Sequence, residues 1–294
     1  MEQSAHPYRS VLYMPGSKER ALEKAKTLAA DALILDLEDA VAPAEKPNAR
    51  ELVGAAVEQG GYGSRKLIVR VNGLETEWGL ADLARAAKAG PDAVLLPKVE
   101  SAADIQRVAE LLAEHGAPER TRIWAMMETP RGVLKAAEIA AAHPRLEGFV
   151  MGTNDLVKDL GAAHTPERTP LVASLGWCLL AARAEGLVCV DGVYNAFKDD
   201  AGLRAECEQG RDLGFDGKTL IHPAQLDIAN TVFAPDAQAI DLARRQIAAF
   251  DEATAKGLGV AVVDGKIVEN LHIVTARQVL ARAEAIAQLQ KALG

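Results

Sequence analysis

The sequence has few of the features that mark several classes of protein. Its three cysteines, Cys178, Cys189 and Cys207, are an odd number and lack the spacing of metal ligands. Two of them lie in apolar runs, where a free cysteine behaves as a small hydrophobic residue, and this usage predicts a cytoplasmic protein. There is no run of about 18 apolar residues and no apolar segment of signal-peptide length in the first thirty positions, so we expect a soluble chain without a membrane span.

Positive charge is also scarce. Lys and Arg total 33 against 41 Asp and Glu, which gives a net charge of −8. Because nucleic acids are held mainly by clustered Lys and Arg, this balance argues against a nucleic-acid partner. It does not exclude a local Arg pocket that binds a small anion. Apolar residues make up 49% and charged residues 25%, which is the ordinary composition of a folded globular protein.

Eight short apolar runs recur along the chain, and each is followed by an Ala-rich stretch with helical spacing. The runs are Ser10–Met14, Ala32–Leu37, Lys66–Val71, Ala93–Val99, Ile123–Met127, Gly148–Met151, Val188–Val193 and Lys218–Ile221. Alternating strands and helices indicate a parallel sheet, and strands that are apolar throughout suit burial on both faces. A doubly wound open sheet also alternates, but eight regular units favour an α/β fold of the (β/α)8 TIM-barrel type.

The pattern changes after the eighth unit. A long helical stretch covers residues 236–256, and Asp264-Gly265 between two β-branched runs is a strong signal for a β-hairpin. A terminal helix begins near Leu271. We therefore expect two domains, a catalytic barrel over residues 1–235 and a C-terminal lid of helix, hairpin and helix over residues 236–294.

Active sites of such barrels lie at the C-terminal ends of the strands, so polar residues that end apolar runs are the candidates. The sequence places nine there, many of them acidic: Asp36, Glu38, Asp39, Arg70, Asn72, Lys98, Glu128, Asn154 and Asp155. Glu128 and Asp155 could each simply cap the helix that follows. Together, on adjacent strand ends and without a nearby His, they predict a Mg²⁺ site, with Mn²⁺ as the other suitable ion and Zn²⁺ disfavoured.

Arg70 ends the third run, where its guanidinium either pairs with barrel carboxylates or holds a substrate carboxylate through two hydrogen bonds. Asp36 and Glu38 either orient water around the metal or form ion pairs with Arg70 and Lys98. The sequence alone leaves both pairs of alternatives open.

Seven motifs, in order along the chain, resemble those of citrate lyase β-subunits and of malyl-CoA and citramalyl-CoA lyases, within the HpcH/HpaI aldolase superfamily. They are RSVLYMPGS at 9–17, LDLEDAV at 35–41, VRVNG at 69–73, LPKVE at 96–100, METP at 127–130, GTNDL at 152–156 and FDGKTLIHP at 215–223. The resemblance runs from Arg9 to the last helix. It implies a Mg²⁺ held by Glu128 and Asp155, with Arg70 contacting a 2-keto acid.

The same resemblance extends to the substrate and to the assembly. The backbone of Gly152, Thr153 and Asn154 would meet the keto acid's carboxylate, and Arg20 and Lys26 would lie near the phosphates of CoA, although exposed basic residues on a helix are usually only solvated. A homotrimer is implied, in which Asp264 on the C-terminal hairpin reaches a neighbouring subunit as general acid or base. Asp-Gly is also the ordinary sequence of a hairpin turn.

These features predict a Mg²⁺-dependent carbon–carbon lyase. Its substrate would be a 3-hydroxyacyl-CoA such as malyl-CoA, citramalyl-CoA or a citryl-type thioester, cleaved to an acyl-CoA and a 2-keto acid and re-formed by Claisen condensation. Three alternatives stay open: a malyl-CoA thioesterase of the same family, a citrate lyase β-subunit acting on a carrier-protein thioester, and a non-catalytic binding barrel.

Overall fold

The protein is a closed parallel barrel in a computed structural model that describes residues 6–293. The strands are β1 Ser10–Pro15, β2 Ala32–Asp36, β3 Lys66–Arg70, β4 Ala93–Leu96, β5 Arg122–Met127, β6 Leu146–Met151, β7 Val188–Asp191 and β8 Gly217–Leu220. Each strand pairs in parallel with the next along the chain, and β8 closes the barrel on β1. The predicted (β/α)8 barrel is therefore confirmed, and an open sheet is ruled out.

Helices alternate with the strands of the barrel. They are α1 Glu19–Ala25, α2 Lys46–Gln59, α3 Gly79–Ala89, α4 Ala102–Glu114, α5 Pro130–Leu134, α6 Ala136–Ala140, α7 Thr153–Leu160, α8 Val172–Ala184, α9 Asp200–Leu213 and α10 Leu226–Val232. Two short 3-10 turns, Pro43–Glu45 and Pro223–Gln225, precede α2 and α10. Within residues 6–293, no helix combines the length and the apolarity needed to cross a bilayer.

Both faces of the barrel strands are buried. Side chains such as Ile34, Leu95 and Trp124 pack together in one apolar cluster, whereas alternate residues such as Leu33 and Phe149 belong to the larger cluster that includes helix residues. Successive side chains of a strand point to opposite faces, so a strand covered on both sides must be apolar at every position. This explains why the strands were visible in the sequence as continuous apolar runs.

The fourth strand is shorter than the sequence indicated. It ends at Leu96 rather than at Val99, because Pro97 has no backbone N–H to donate to a neighbouring strand. Lys98 then adopts a left-handed backbone with a φ of 50°. The chain turns at this point, so Lys98 lies in the loop that follows β4.

The C-terminal segment forms a compact unit of its own over residues 234–292, distinct from the unit at 8–233. It contains α11 Ala237–Ala255, β9 Ala261–Val263, β10 Lys266–Val268 and α12 Asn270–Leu293. At the hairpin turn, Asp264 and Gly265 have φ values of 52° and 73°, and a type I′ turn requires positive φ at both positions. The helical extension and its hairpin are thus present, and the role of this unit as a lid stays a prediction.

A buried group of charges joins the last two strands to the helix between them. Lys218 in β8 is fully buried, and its Nζ lies 2.6 Å from Oε1 of Glu206 on α9 and 3.1 Å from Oδ2 of Asp191 at the end of β7. Arg168, from the loop before α8, donates to both carboxylate oxygens of Asp191 at 2.7 Å. Buried charges are tolerated only when they are paired in this way.

We expect Lys218→Met to lower the free energy of unfolding by about 3–5 kcal/mol, because it leaves a buried carboxylate without one of its cations. Lys66→Met is the matched control, since Lys66 forms a 3.0 Å pair with Asp92 in which both side chains are about one third exposed. A partly exposed pair of this kind contributes about 1 kcal/mol or less. Urea unfolding of both variants checks the difference, and equal losses would contradict a structural role for the buried group.

Candidate active site

Glu128 directly follows β5, and its carboxylate does not cap the next helix. The cap of α5 is Thr129, whose Oγ1 accepts a hydrogen bond from the Gly132 N–H at 3.0 Å. Glu128 instead turns toward the β4 loop, where its Oε1 accepts the Lys98 backbone N–H at 2.7 Å. The structure therefore argues against the interpretation of Glu128 as a helix cap.

Asp155 lies in the first turn of α7, and it does not cap its helix either. Gly152 occupies the N-cap position, and the helix start has no side-chain cap. The Asp155 carboxylate is partly exposed and lies 3.6 Å from the Lys158 ammonium on the same helix. It remains accessible to a ligand at the barrel mouth, which we define as the loops that follow β1 to β8.

Gly152 allows β6 and Glu128 to approach each other. A Cβ at this position would overlap the Cβ and Oε2 atoms of Glu128. The absence of a side chain therefore lets the backbone at Gly152, just before α7, pack directly against Glu128, and Thr153 and Asn154 follow at the start of that helix. These residues were predicted to bind substrate, and the structure places Thr153 in the interior and Asn154 at the surface.

The surroundings of Glu128 disfavour its charge. The pKa of its carboxyl is raised to about 7, mainly by burial and in addition by the carboxylates of Glu38 and Asp155, whereas the Lys98 N–H and Arg70 oppose the rise. The two carboxylates predicted to hold a metal are thus close enough to repel each other. A divalent cation between them would relieve that repulsion.

Arg70 is buried among carboxylates at the end of β3. Its Nε and Nη2 donate to the two oxygens of Asp36 at 2.6 and 2.7 Å, and its Nη1 lies 2.7 Å from Oε2 of Glu38. Of the two alternatives raised for Arg70, the structure therefore shows the ion pairs with barrel carboxylates. Contact between Arg70 and a substrate carboxylate stays a prediction. In such a contact, Nη1 of Arg70 would have to bind both the substrate and Glu38.

Lys98 connects two of these carboxylates. Its backbone N–H binds Glu128, and its half-exposed ammonium lies 3.4 Å from Oε1 of Glu38. Partial burial lowers the pKa of Lys98, but Glu38, Glu128 and Asp155 together raise it above its usual value. The ammonium is consequently held as a cation at the edge of the barrel mouth.

Sequence reasoning missed Lys46, which fixes the loop after β2. Its buried ammonium donates to the backbone oxygens of Leu37 and Glu38 at 3.0 and 2.8 Å and to Oδ1 of Asn72 at 2.7 Å. These bonds tie the β2 loop to the end of β3 and so orient Glu38 toward Arg70. No sequence signal distinguishes this buried lysine from the exposed lysines elsewhere in the chain.

Tyr13 was also missed. Arg70 lies over its ring at 4.8 Å, and its hydroxyl is 3.6 Å from the Met126 sulfur. Burial raises the pKa of this phenol well above its usual value, so the ring stays neutral beneath the charged groups. Tyr13 thus forms part of the floor of the barrel mouth, a position that its alternate placement in an apolar strand could have suggested.

The remaining predicted residues lie elsewhere. Arg20 is exposed on α1, while Lys26 lies just beyond α1 and pairs with Glu23 at 2.7 Å. Asp264 belongs to the C-terminal unit, at the tip of the hairpin, with its carboxylate 60% exposed. Both of its oxygens accept from Nη1 of Arg245, at 2.7 and 2.8 Å.

The mouth suits a magnesium ion better than a metal held by protein atoms alone. Among the described residues, no group of three or more His, Cys, Asp or Glu side chains is arranged to hold a metal. Mg²⁺ commonly takes only one or two carboxylates from the protein and completes its shell with water and substrate oxygens. Glu128 and Asp155 can provide that pair.

Comparison with known proteins assigns the chain to a family. The family model described as HpcH/HpaI aldolase/citrate lyase matches residues 9–223, so the chain belongs to that family. A (3S)-malyl-CoA thioesterase from Cereibacter sphaeroides is 67% identical over 98% of both chains. The citrate lyase subunit beta of Escherichia coli K12 is 40% identical over 94% of this chain and 93% of its own.

Solved structures support the same assignment. CitE from Mycobacterium tuberculosis, in complex with magnesium, acetoacetate and coenzyme A, is 31% identical. It covers 96% of this chain and 99% of its own, with a TM-score of 0.79. A second structure from that organism, a citrate lyase beta subunit with oxaloacetate and magnesium, is 32% identical over 79% of this chain and 99% of its own, with a TM-score of 0.67. Members of this family thus bind Mg²⁺ and CoA.

The predicted carbon–carbon lyase activity is wrong as the main function. Four relatives that match 98% of this chain at 65–67% identity are named (3S)-malyl-CoA thioesterases, whereas the citrate lyase subunits are near 40%. The error has a physical origin, because the motifs used for the prediction build the barrel mouth. A mouth that binds a hydroxy acid and Mg²⁺ can serve either reaction.

We expect Glu128→Gln to stabilise the metal-free protein at pH 8 by about 1–3 kcal/mol, because it removes a buried charge that Glu38 and Asp155 repel. The raised pKa of Glu128 determines how this stability difference changes with pH. The wild-type carboxyl becomes protonated as the pH falls through about 7. The greater stability of the variant should therefore shrink, and it should disappear as the pH approaches 4.5, the usual pKa of a Glu carboxyl.

Urea unfolding from pH 5 to pH 8 with a chelator present measures this dependence. Glu138→Gln, at an exposed position on α6, is the matched control and should follow the wild type throughout. A difference between Glu128→Gln and the wild type that stays constant with pH would show that the buried charge of Glu128 is not its cause.

Proposed function

We propose that the protein is a Mg²⁺-dependent thioesterase that hydrolyses a malyl-CoA thioester to malate and free CoA. The observation that carries this proposal is the 67% identity to a (3S)-malyl-CoA thioesterase over 98% of both chains. The paired carboxylates of Glu128 and Asp155 at the barrel mouth agree with it. So do the CitE structures, which hold magnesium, oxo acids and coenzyme A.

The acid half of the substrate would bind at the barrel mouth. Glu128 and Asp155 would hold a Mg²⁺ there, and the ion would supply positive charge for substrate oxygens and for negative charge that develops in the reaction. The backbone N–H groups of Thr153 and Asn154, at the start of α7, offer donors to the same carboxylate, since helix starts favour anions. Arg70, held by Asp36 and Glu38, adds a fixed positive charge beside them.

Hydrolysis requires one proton to be removed and one to be supplied. The oxygen of a water molecule attacks the thioester carbonyl carbon, the carbon–sulfur bond breaks, and the sulfur leaves as the thiol of CoA. The attacking water loses a proton in this process, and the leaving sulfur gains one. We assign the proton transfer to Asp264, which the hairpin presents at its exposed tip.

The same proposal includes the oligomeric state and the cellular location of the enzyme. We propose a homotrimer in which the hairpin of one copy completes the mouth of another, so that Asp264 reaches a substrate bound by a neighbouring chain. We also propose a cytoplasmic location, since Cys178, Cys189 and Cys207 are free thiols in the interior. Arg20 and Lys26 are proposed to face the CoA phosphates.

Incubation of the purified chain with (3S)-malyl-CoA and Mg²⁺ tests the proposed reaction. We expect equal amounts of malate and free CoA, and we expect Asp155→Asn to lower turnover to the level measured with a chelator. Asp159→Asn, at an exposed position on the same helix, is the matched control and should retain activity. Acetyl-CoA and glyoxylate as the main products would contradict the proposal.

We expect Asp264→Asn to slow hydrolysis by about 10²–10⁴-fold, the range for loss of a proton-transfer group. Asp241→Asn is a close control, because Asp241 also pairs with Arg245, at 2.8 Å. If Asp264 acts only by holding Arg245, the two variants should have similar rates. Steady-state assays of both variants measure the difference, and an unchanged rate in Asp264→Asn would rule out the assignment.

A further inference from the structure

Asp191 lies at the end of β7, and its buried carboxylate holds the turn that follows. Oδ1 of Asp191 accepts the Gly192 backbone N–H at 2.8 Å, and its Oδ2 lies 3.1 Å from the Lys218 ammonium. Burial raises the pKa of Asp191, but Lys218 and Arg168 lower it below its ordinary value, so the carboxylate is charged. A charged carboxylate only accepts hydrogen bonds, and it therefore binds the Gly192 N–H strongly.

Gly192 brings this turn against the segment that joins β6 to α7. A Cβ at Gly192 would lie 2.5 Å from Oγ1 and 2.6 Å from Cγ2 of Thr153, and 2.8 Å from the Met151 backbone oxygen. Only a residue without a side chain can approach so closely. The backbone at Gly192 is therefore in contact with the first residue of α7, which was predicted to meet the substrate.

The segment of residues 151–153 is consequently packed from two sides. In the barrel, β6 lies between β5 and β7. Glu128, which follows β5, contacts this segment from one side, and Gly192, which follows β7, contacts it from the other. Asp155 is only two residues further along the chain, in the first turn of α7. A shift of the turn at Gly192 would thus be passed to the residues proposed to bind the metal and the acid.

Arg168 connects Asp191 to the chain on the other side of α7. It lies in the loop between α7 and α8, and its Nη1 donates to both oxygens of the Asp191 carboxylate at 2.7 Å. Arg168 adopts a left-handed backbone with a φ of 50°, which is uncommon for a residue with a Cβ. Its backbone oxygen accepts the N–H groups of Leu171 and Val172 at 2.8 and 3.1 Å, at the start of α8. Asp191 is thus linked to both ends of α7, through Gly192 at its start and through Arg168 in the loop after its end.

We propose that Asp191 is a positioning residue for the metal and acid site, an inference that rests on the proposed function. Through Gly192 and Arg168, it holds α7 in the place where Asp155 can share a metal with Glu128. The same placement directs the first N–H groups of the helix toward the acid. Displacement of a binding group by about 1 Å can reduce a rate by about 10²-fold, so the bonds that prevent such a shift affect the reaction from a distance.

Titration of the chelator-treated full chain with Mn²⁺, read from the electron paramagnetic resonance signal of the free ion, tests this assignment without substrate. We expect Gly192→Ala to weaken Mn²⁺ binding by about 10–100-fold, the range for groups that orient metal ligands, because its methyl group displaces Thr153. Gly176→Ala is the matched control. Among the described residues, a Cβ at Gly176 would meet no atom within 4 Å outside its own part of α8, so Mn²⁺ affinity should stay at the wild-type value.

A second substitution locates the cause of this loss. The methyl group of Gly192→Ala overlaps two side-chain atoms of Thr153, and Thr153→Ala removes both of them while keeping the backbone N–H. We expect the double variant to bind Mn²⁺ more tightly than Gly192→Ala alone, and the kcat/KM of both for malyl-CoA should follow their Mn²⁺ affinity. A wild type that binds Mn²⁺ but leaves malyl-CoA intact would exclude the proposed function, while the Mn²⁺ measurements would still decide the role of Asp191.

Asp191→Asn and Lys218→Met separate positioning from stability. Asp191→Asn places an NH2 group against donors that now bind the carboxylate, so it should weaken Mn²⁺ binding as well as stability. Lys218→Met leaves the other bonds of the Asp191 carboxylate in place, so the folded variant should keep an Mn²⁺ affinity near the wild-type value.

Four results would overturn the positioning role of Asp191. They are equal losses of Mn²⁺ affinity in Asp191→Asn and Lys218→Met, wild-type Mn²⁺ affinity in Gly192→Ala, no recovery in the double variant, and no Mn²⁺ binding by the wild-type protein. Urea unfolding shows whether each variant is folded. If Asp191→Asn fails to fold, Gly192→Ala and the double variant decide.

Discussion

The crowding of carboxylates at the barrel mouth is the constraint on which the rest of the site depends. Side chains after β2, β5 and β6 bring more negative charge to this end than Arg70 and Lys98 neutralise. Arg70 is locked between Asp36 and Glu38, and the pKa of Glu128 is raised to about 7 by burial together with its acidic neighbours. A cation held by Glu128 and Asp155 would offset this charge, and on the proposed function it would link the fold to metal-assisted chemistry.

Much of this architecture could be predicted from the sequence, because strands buried on both faces are apolar at every position. The strand-end residues were found by the same logic, since the polar residue that ends each apolar run lies at the C-terminal face. The contacts of Lys46 and Tyr13 could not be predicted, because they depend on how neighbouring loops and strands face each other. The end of β4 at Leu96 was misplaced although Pro97 carried the signal.

The choice between lysis and hydrolysis was predicted wrongly for a related reason. The motifs that suggested a lyase build the barrel mouth, and relatives of both names share that family. On the proposed function, the same mouth holds the acid, and the outcome depends on whether water reaches the thioester carbonyl. On the proposed function, that access depends in part on the C-terminal hairpin, which lies outside the seven motifs.

The most direct test of a metal at the barrel mouth is a crystal structure of the protein soaked with Mn²⁺, read by anomalous scattering. We expect one strong anomalous peak within coordination distance of the Glu128 and Asp155 carboxylates, and we expect it to be lost in Asp155→Asn crystals. A peak bound by other side chains, or the same peak in the variant, would contradict the account.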